Sequence, residues 1–209
     1  WNNRFFGFHA GVTFNTSPPS PLPNSRMAAI EGCASISDDS GNILFYTDGL
    51  SVWNRNNQYM PNGNGLMGNE TSSNSAIIVP KPRTPGRYYI FTADAIYMPI
   101  SNGYRYSEID MSLDGGKGDV VSKNNLLYNI NSTEKMTAVK SANGIDYWVI
   151  TKEWNNNRFN VYKVDCSGIV PIPVISDVGV TVFSSDPATS ATEGLLKVSQ
   201  NGKKVAMAI

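Results

Sequence analysis

Four times along the chain a short glycine-containing turn separates two apolar runs, and this recurrence limits the fold more than any other feature. The turns are Ser37-Asp38-Asp39-Ser40-Gly41, Lys81-Pro82-Arg83-Thr84-Pro85-Gly86, Lys140-Ser141-Ala142-Asn143-Gly144 and Ser199-Gln200-Asn201-Gly202. Their glycines lie 45, 58 and 58 positions apart. Before the turns come Ala34-Ser35-Ile36, Ala76-Ile77-Ile78-Val79, Thr137-Ala138-Val139 and Leu195-Leu196-Lys197-Val198. After them come Asn42–Thr47, Arg87–Thr92, Ile145–Thr151 and Lys203–Ile209, mostly aromatic and β-branched. Short apolar runs bounded by turn residues read as strands, and glycine supplies the positive φ of the hairpin between them.

A more polar third strand follows in each complete unit: Leu50–Trp53, Tyr104–Asp110 and Arg158–Val164. The Gly115-Gly116-x-Gly118 stretch reads as a hairpin turn rather than a phosphate loop, since no strand-to-helix context surrounds it. Fourth strands are expected around Val120-Val121 and over Val170–Ile175. No amphipathic helix is evident. A four-stranded unit recurring every 45–58 residues predicts an all-β chain of β-propeller blades, of WD-repeat, lactonase or TolB-like shape. A β-sandwich with coincidental hairpins is the alternative. The expected organisation is one partial propeller over 1–209, with an N-terminal strand and loop segment over 1–30. The units span about 31–74, 75–132, 133–191 and 192–209, the last incomplete, giving about three and a half blades. Rings close with 4–8 blades, so a longer ring of six to eight is expected, the downstream part of the same polypeptide completing it.

Composition excludes several classes. The 17 basic and 17 acidic residues cancel and form no basic stripe, so no nucleic-acid footprint exists. No apolar run approaches the ~20 residues of a membrane-spanning helix, so no membrane span is expected. The start at Trp1-Asn2-Asn3 reads as a processed or engineered one, with no signal peptide. Cys33 and Cys166 have neither zinc-ligand nor redox spacing and read as two buried free thiols, with a disulfide open if the chain is exported.

The stretches Glu31–Asp38, Leu44–Gly49, Val52–Arg55, Met60–Gly63, Ser75–Pro82 and Asp146–Thr151, in this order, resemble the N-terminal β-propeller module of Bacteroidetes type IX-secreted, gliding-motility-associated surface proteins. Trp1–Phe14 is similar to the mature start of such proteins. The resemblance implies export through the periplasm to the outer-membrane surface or beyond, contact with the secretion machinery, and no known catalytic activity. The downstream array and sorting domain of that family are missing from the sequence. Ser37-x-Asp39-x-Gly41 is close to a sialidase Asp box, and the fourth hairpin resembles lactonase-like and TolB-like blades.

Catalytic constellations are sparse. The single histidine, His9, has no nucleophile motif beside it and reads as structural. A positional pattern offers more. Glu31 and Glu134 each lie ten residues before their turn glycine, Glu193 nine and Ser75 eleven, which puts all four at the entrance to a first strand. If first strands are innermost, the four ring one mouth of a central channel. Converging carboxylates there suit a cation such as Ca2+ or a polar ligand, and otherwise accept hydrogen bonds from neighbouring backbone amides. Trp154, before three asparagines, and Tyr97, before Met98-Pro99, are expected as exposed loop aromatics suited to carbohydrate. The functional expectation is a non-catalytic surface module for adhesion or for binding a protein or glycan. A propeller-based glycan or lactone hydrolase or lyase using Glu31, Glu134 and Glu193, and a structural spacer, are the alternatives.

Overall fold

In the computed structural model, residues 2–95, 102–128, 132–182, 192–199 and 201–208 are described. Among them strands dominate, and the one helical turn is a 3-10 turn over Asp114–Gly116. Three short strands, β1 (Asn3–Phe6), β2 (Ala10–Thr13) and β3 (Ser20–Pro21), form an antiparallel N-terminal sheet. The expected strand and loop segment is therefore a small sheet.

Four further sheets follow in chain order. The first holds β4 (Ala34–Ser37), β5 (Ile43–Thr47), β6 (Ser51–Asn54) and β7 (Tyr59–Asn64). The second holds β8 (Ala76–Pro80), β9 (Arg87–Ala93), β10 (Tyr104–Asp110) and β11 (Asp119–Tyr128). The third contains β12 (Ser132–Lys140), β13 (Tyr147–Glu153), β14 (Asn156–Asp165), β15 (Gly168–Ile169) and β16 (Val174–Val182). The fourth is the hairpin of β17 (Leu196–Val198) and β18 (Val205–Met207). Each is antiparallel, with consecutive strands as neighbours, except that β15 and β16 share the outer edge of β14. The fourth strand expected over Val170–Ile175 starts instead at Val174. Pro171 and Pro173 lack the N–H a ladder needs and hold the chain out of the sheet until they are passed.

The four hairpin glycines have φ of +84, +80, +69 and +69°, the left-handed region the turns require. The first turn is closed by Asp38, whose carboxylate accepts the backbone N–H of Asn42 at 2.8 Å and its side-chain amide at 3.1 Å. The Asp-box likeness had pointed to Asp39.

The sheets face one another. β4 touches β8, β8 touches β12, and β12 touches β17, so the first strands lie side by side in chain order. The fourth strands of the first two sheets also meet: Asn62 donates to Asp119 at 2.9 Å and Lys123 to the Asn64 carbonyl at 2.7 Å. Each hydrophobic core is shared between two sheets. Phe45, Val52 and Met60 of the first pack with Ile90, Ile109 and Val120 of the second. Phe91 and Tyr104 of the second pack with Met136, Val149 and Tyr162 of the third. The N-terminal sheet adds Phe5, whose ring lies 4.6 Å from that of Tyr46, itself stacked 5.5 Å from Trp53. Aromatic pairs at these distances add roughly 0.5–1.5 kcal/mol each beyond the area they bury. Between the third sheet and the fourth hairpin an apolar groove of about 400 Å³ is lined by Ile150, Phe159, Val161, Val178, Val180 and Met207.

The cysteines are free, as expected, but neither is fully buried. Cys33 is half-buried with its thiol donating to the Phe5 carbonyl at 3.5 Å, and Cys166 is exposed. Cys166 sits in the turn between β14 and β15. His9 is exposed, with Nδ1 2.9 Å from the Ser25 carbonyl, a structural contact.

Candidate functional site

Three of the four strand-entrance residues share one electrostatic neighbourhood. Glu134 is in the first turnless stretch of β12, whose opening residues Ser132–Lys135 are all buried. A register shift between Ser132 and Met136 lets this stretch leave the regular ladder, so its side chains are not forced into strict alternation. The Oε2 atom of Glu134 accepts the backbone N–H of Ser73 at 2.7 Å and its hydroxyl at 2.6 Å. The Ser73 hydroxyl in turn accepts the N–H of Gly194 at 2.9 Å. The Glu134 N–H donates to the Thr192 carbonyl at 3.0 Å. The start of β12 is thereby tied, at one residue, to the segments that precede β8 and β17.

Burial pushes the Glu134 carboxyl above the usual range, the Ser73 hydrogen bonds oppose this, and the nearby Glu193 and Glu31 carboxylates raise it further. Lys135, also fully buried, donates its ammonium to the Glu193 carbonyl. Burial lowers its pKa, against the pull of Glu134 and Glu193. Beneath them the Tyr104 hydroxyl lies between the carbonyls of Thr133 and Lys135, the latter 3.0 Å away, and complete burial drives its pKa far up. A second buried ammonium, Lys152, donates to the carbonyls of Glu153 and Asn156 at 2.7 and 2.6 Å.

Ser75 does not join the carboxylates. The backbone N–H of Asn69 donates to its hydroxyl at 3.3 Å, and the same hydroxyl is packed against Gly49 and Gly68. Offsets counted from the turn glycine explain the difference. Thr47, Thr92 and Thr151 pair with Ala34, Ala76 and Met136. Glu31, Ser75 and Glu134 thus stand three, one and two residues ahead of equivalent rungs. Hairpins of unequal length give equal spacing in sequence and unequal register in the sheet. The residue that meets Glu134 is Ser73, three residues ahead of the Ala76 rung.

Among the described residues, buried side-chain atoms with no hydrogen-bond partner are the Ser72, Thr92 and Thr192 hydroxyls, Glu134 Oε1 and Trp154 Nε1. Three of the five belong to the Glu134 junction. No group of three or more His, Cys, Asp or Glu side chains is arranged to hold a metal among the described residues. Glu31 itself is exposed and Glu193 partly so. Trp154 departs from its expected exposure: it is half-buried in the β13–β14 turn with its indole nitrogen enclosed. Tyr97 lies outside the described residues. No helix among the described residues is long and apolar enough to cross a membrane.

Comparison with protein-family profiles, curated proteins and solved structures gave no match to this chain.

Proposed function

We propose that the four sheets are successive blades of a β-propeller and that the chain is a non-catalytic interaction module of an exported bacterial surface protein. The observation that carries this reading is the side-by-side order of β4, β8, β12 and β17, the first three each opening an antiparallel meander that faces the next sheet and the last opening a hairpin. Face-to-face meanders with adjacent first strands are what radial blade packing requires. Export to the surface by a type IX-like system, with a link to gliding motility, rests on the resemblance of Glu31–Asp38, Leu44–Gly49 and the stretches after them. The partner is a protein or glycan at the cell surface.

A hydrolase has less in its favour. Glu134, the most central of its candidate acids, is fully buried, with one oxygen taken by two Ser73 donors. A general acid must reach the atom it protonates. The test applies the purified chain to a glycan array and to immobilised surface proteins, alongside glycoside, ester and lactone substrates. Saturable binding without turnover is expected. Turnover abolished by Glu134→Gln, or no binding to either class, overturns the proposal.

A further inference from the structure

We propose that the cleft between the N-terminal sheet and the first of the four sheets after it binds a neutral saccharide. The proposal rests on the reading of the chain as an interaction module and narrows it to one ligand class at one place. The cleft encloses about 540 Å³, within the ~300–1,000 Å³ of small-molecule sites. Its distinguishing feature is amide: Asn3, Asn15, Asn24, Asn42, Asn56 and Asn57 all line it.

Several of these amides are fixed by bonds to the protein, which holds a binding surface in one shape before any ligand arrives. The Gly41 carbonyl accepts Asn3 Nδ2 at 2.7 Å and Asn15 Nδ2 at 2.9 Å, which clips the N-terminal sheet to the first hairpin turn. Asn2 Nδ2 donates to Asn15 Oδ1 at 2.7 Å. A methyl group at Gly41 would stand 2.3 Å from Asn15 Oδ1 and 2.7 Å from Asn2 Nδ2, so glycine there lets the amides close over the turn. Asn57 uses its Oδ1 to accept the Tyr46 hydroxyl at 2.8 Å and offers a ligand its amide nitrogen. Asn42 uses its Nδ2 to bond Asp38 at 3.1 Å and offers its carbonyl oxygen. The lining thus presents both a donor and an acceptor, and a hydroxyl group both donates and accepts. Asn15, Asn24, Asn42 and Asn56 are exposed, whereas Phe5 is buried and Leu22 and Ile43 are half-buried. An apolar floor with a polar rim suits a sugar, whose ring carries C–H faces between its hydroxyls.

The chemistry of the lining disfavours other small ligands. Among the described residues no carboxylate, histidine or cysteine lines the cleft, so a metal ion would lack its usual ligands and counter-charge. Its one charged side chain, Arg55, donates to the Gly116 carbonyl of the second sheet, so an anion would meet a single cation already engaged. A purely apolar ligand would strip water from the amides and return no hydrogen bond, which is costly. A neutral polyhydroxylated ligand satisfies the amides and covers the floor.

The experiment applies the whole chain to an array of neutral and acidic glycans and to immobilised surface proteins, then measures the bound glycans by calorimetry. Saturable binding of a neutral glycan in preference to acidic ones is expected. Asn24→Ala and Asn56→Ala each remove one amide and should weaken that glycan by about three- to tenfold, as loss of one hydrogen bond does. Both residues are exposed, so the melting temperature should stay unchanged. Asn143→Ala, in the turn of the third sheet, is the control and should leave the affinity as it was. Glycan binding that ignores both cleft variants, a preference for acidic glycans, or binding to proteins alone overturns the proposal and leaves the interaction module standing. Binding to neither glycan nor protein overturns both.

Discussion

Gly32 offers the sharpest test of how the first two sheets are joined. It precedes β4 in the loop that begins with Glu31, and its N–H donates to the Ser72 carbonyl at 3.0 Å. A methyl group at Gly32 would stand 2.2 Å from the Ser75 nitrogen, 2.5 Å from the Ser72 oxygen and 3.0 Å from the Asn74 carbonyl carbon. All three are backbone atoms, so no rotamer change relieves the clash and the two loops must separate. Separation stretches the Gly32–Ser72 hydrogen bond, worth about 1 kcal/mol. The overpacking costs roughly 1–3 kcal/mol more. Gly32→Ala should therefore destabilise by about 2–4 kcal/mol, a large part of the ~5–15 kcal/mol typical of a folded domain. Gly65→Ala is the control. Gly65 has φ +74° with nothing within 4 Å of the added carbon, so its cost is conformational alone, about 1–2 kcal/mol. Urea unfolding followed by tryptophan fluorescence measures both, with a midpoint fall of roughly 1–2 M for Gly32→Ala if the slope is near 2 kcal/mol/M. A Gly32→Ala loss no greater than that of Gly65→Ala would refute the close approach.

Three further outcomes are expected. Because the folded Glu134 carboxyl titrates above its ordinary value of 4.5, its contribution to stability is full below that value and is lost as pH rises through the raised one. The difference in urea midpoint between wild type and Glu134→Gln should therefore shift against the wild type from about pH 4 to pH 8, and a flat difference would contradict the shift. Tyr104→Phe strips the carbonyls of Thr133 and Lys135 of their shared hydroxyl and should cost about 1–3 kcal/mol in the same assay. Cys166 should react with a thiol reagent at pH 8 at least about tenfold faster than Cys33, whose thiol is half-buried and held protonated by desolvation; equal rates, read by mass spectrometry after partial labelling, would count against the burial assigned to Cys33.

The repeated hairpins were legible because turn glycines and flanking aromatic runs are local signals. Arg87–Ala93 and Tyr147–Glu153 are strands by composition, and the intervening turns need nothing from the rest of the chain. The N-terminal sheet was not legible. Asn3–Phe6 and Ala10–Thr13 are only four residues each, and what holds them is Phe5 packing on Tyr46, a contact across some forty positions. The carboxylate cluster was legible in part. Glu31, Glu134 and Glu193 stand out by spacing, whereas Ser72, Ser73 and Thr192 are common loop residues, and their importance arises from a register shift that no spacing rule encodes.

Cores shared between neighbours have a consequence for how this molecule comes apart. No sheet owns its hydrophobic interior, so the protection of any one amide depends on whether the adjoining sheet is in place. Linear arrays coupled in this way behave like a row of switches with nearest-neighbour linkage, and they fray from the position with the weakest neighbour. The first and second sheets, each packed against a neighbour on both flanks, are the ones that opening reaches last. The β17–β18 hairpin, with Leu196 buried but Val205 half in solvent, is where exchange with deuterated water should begin.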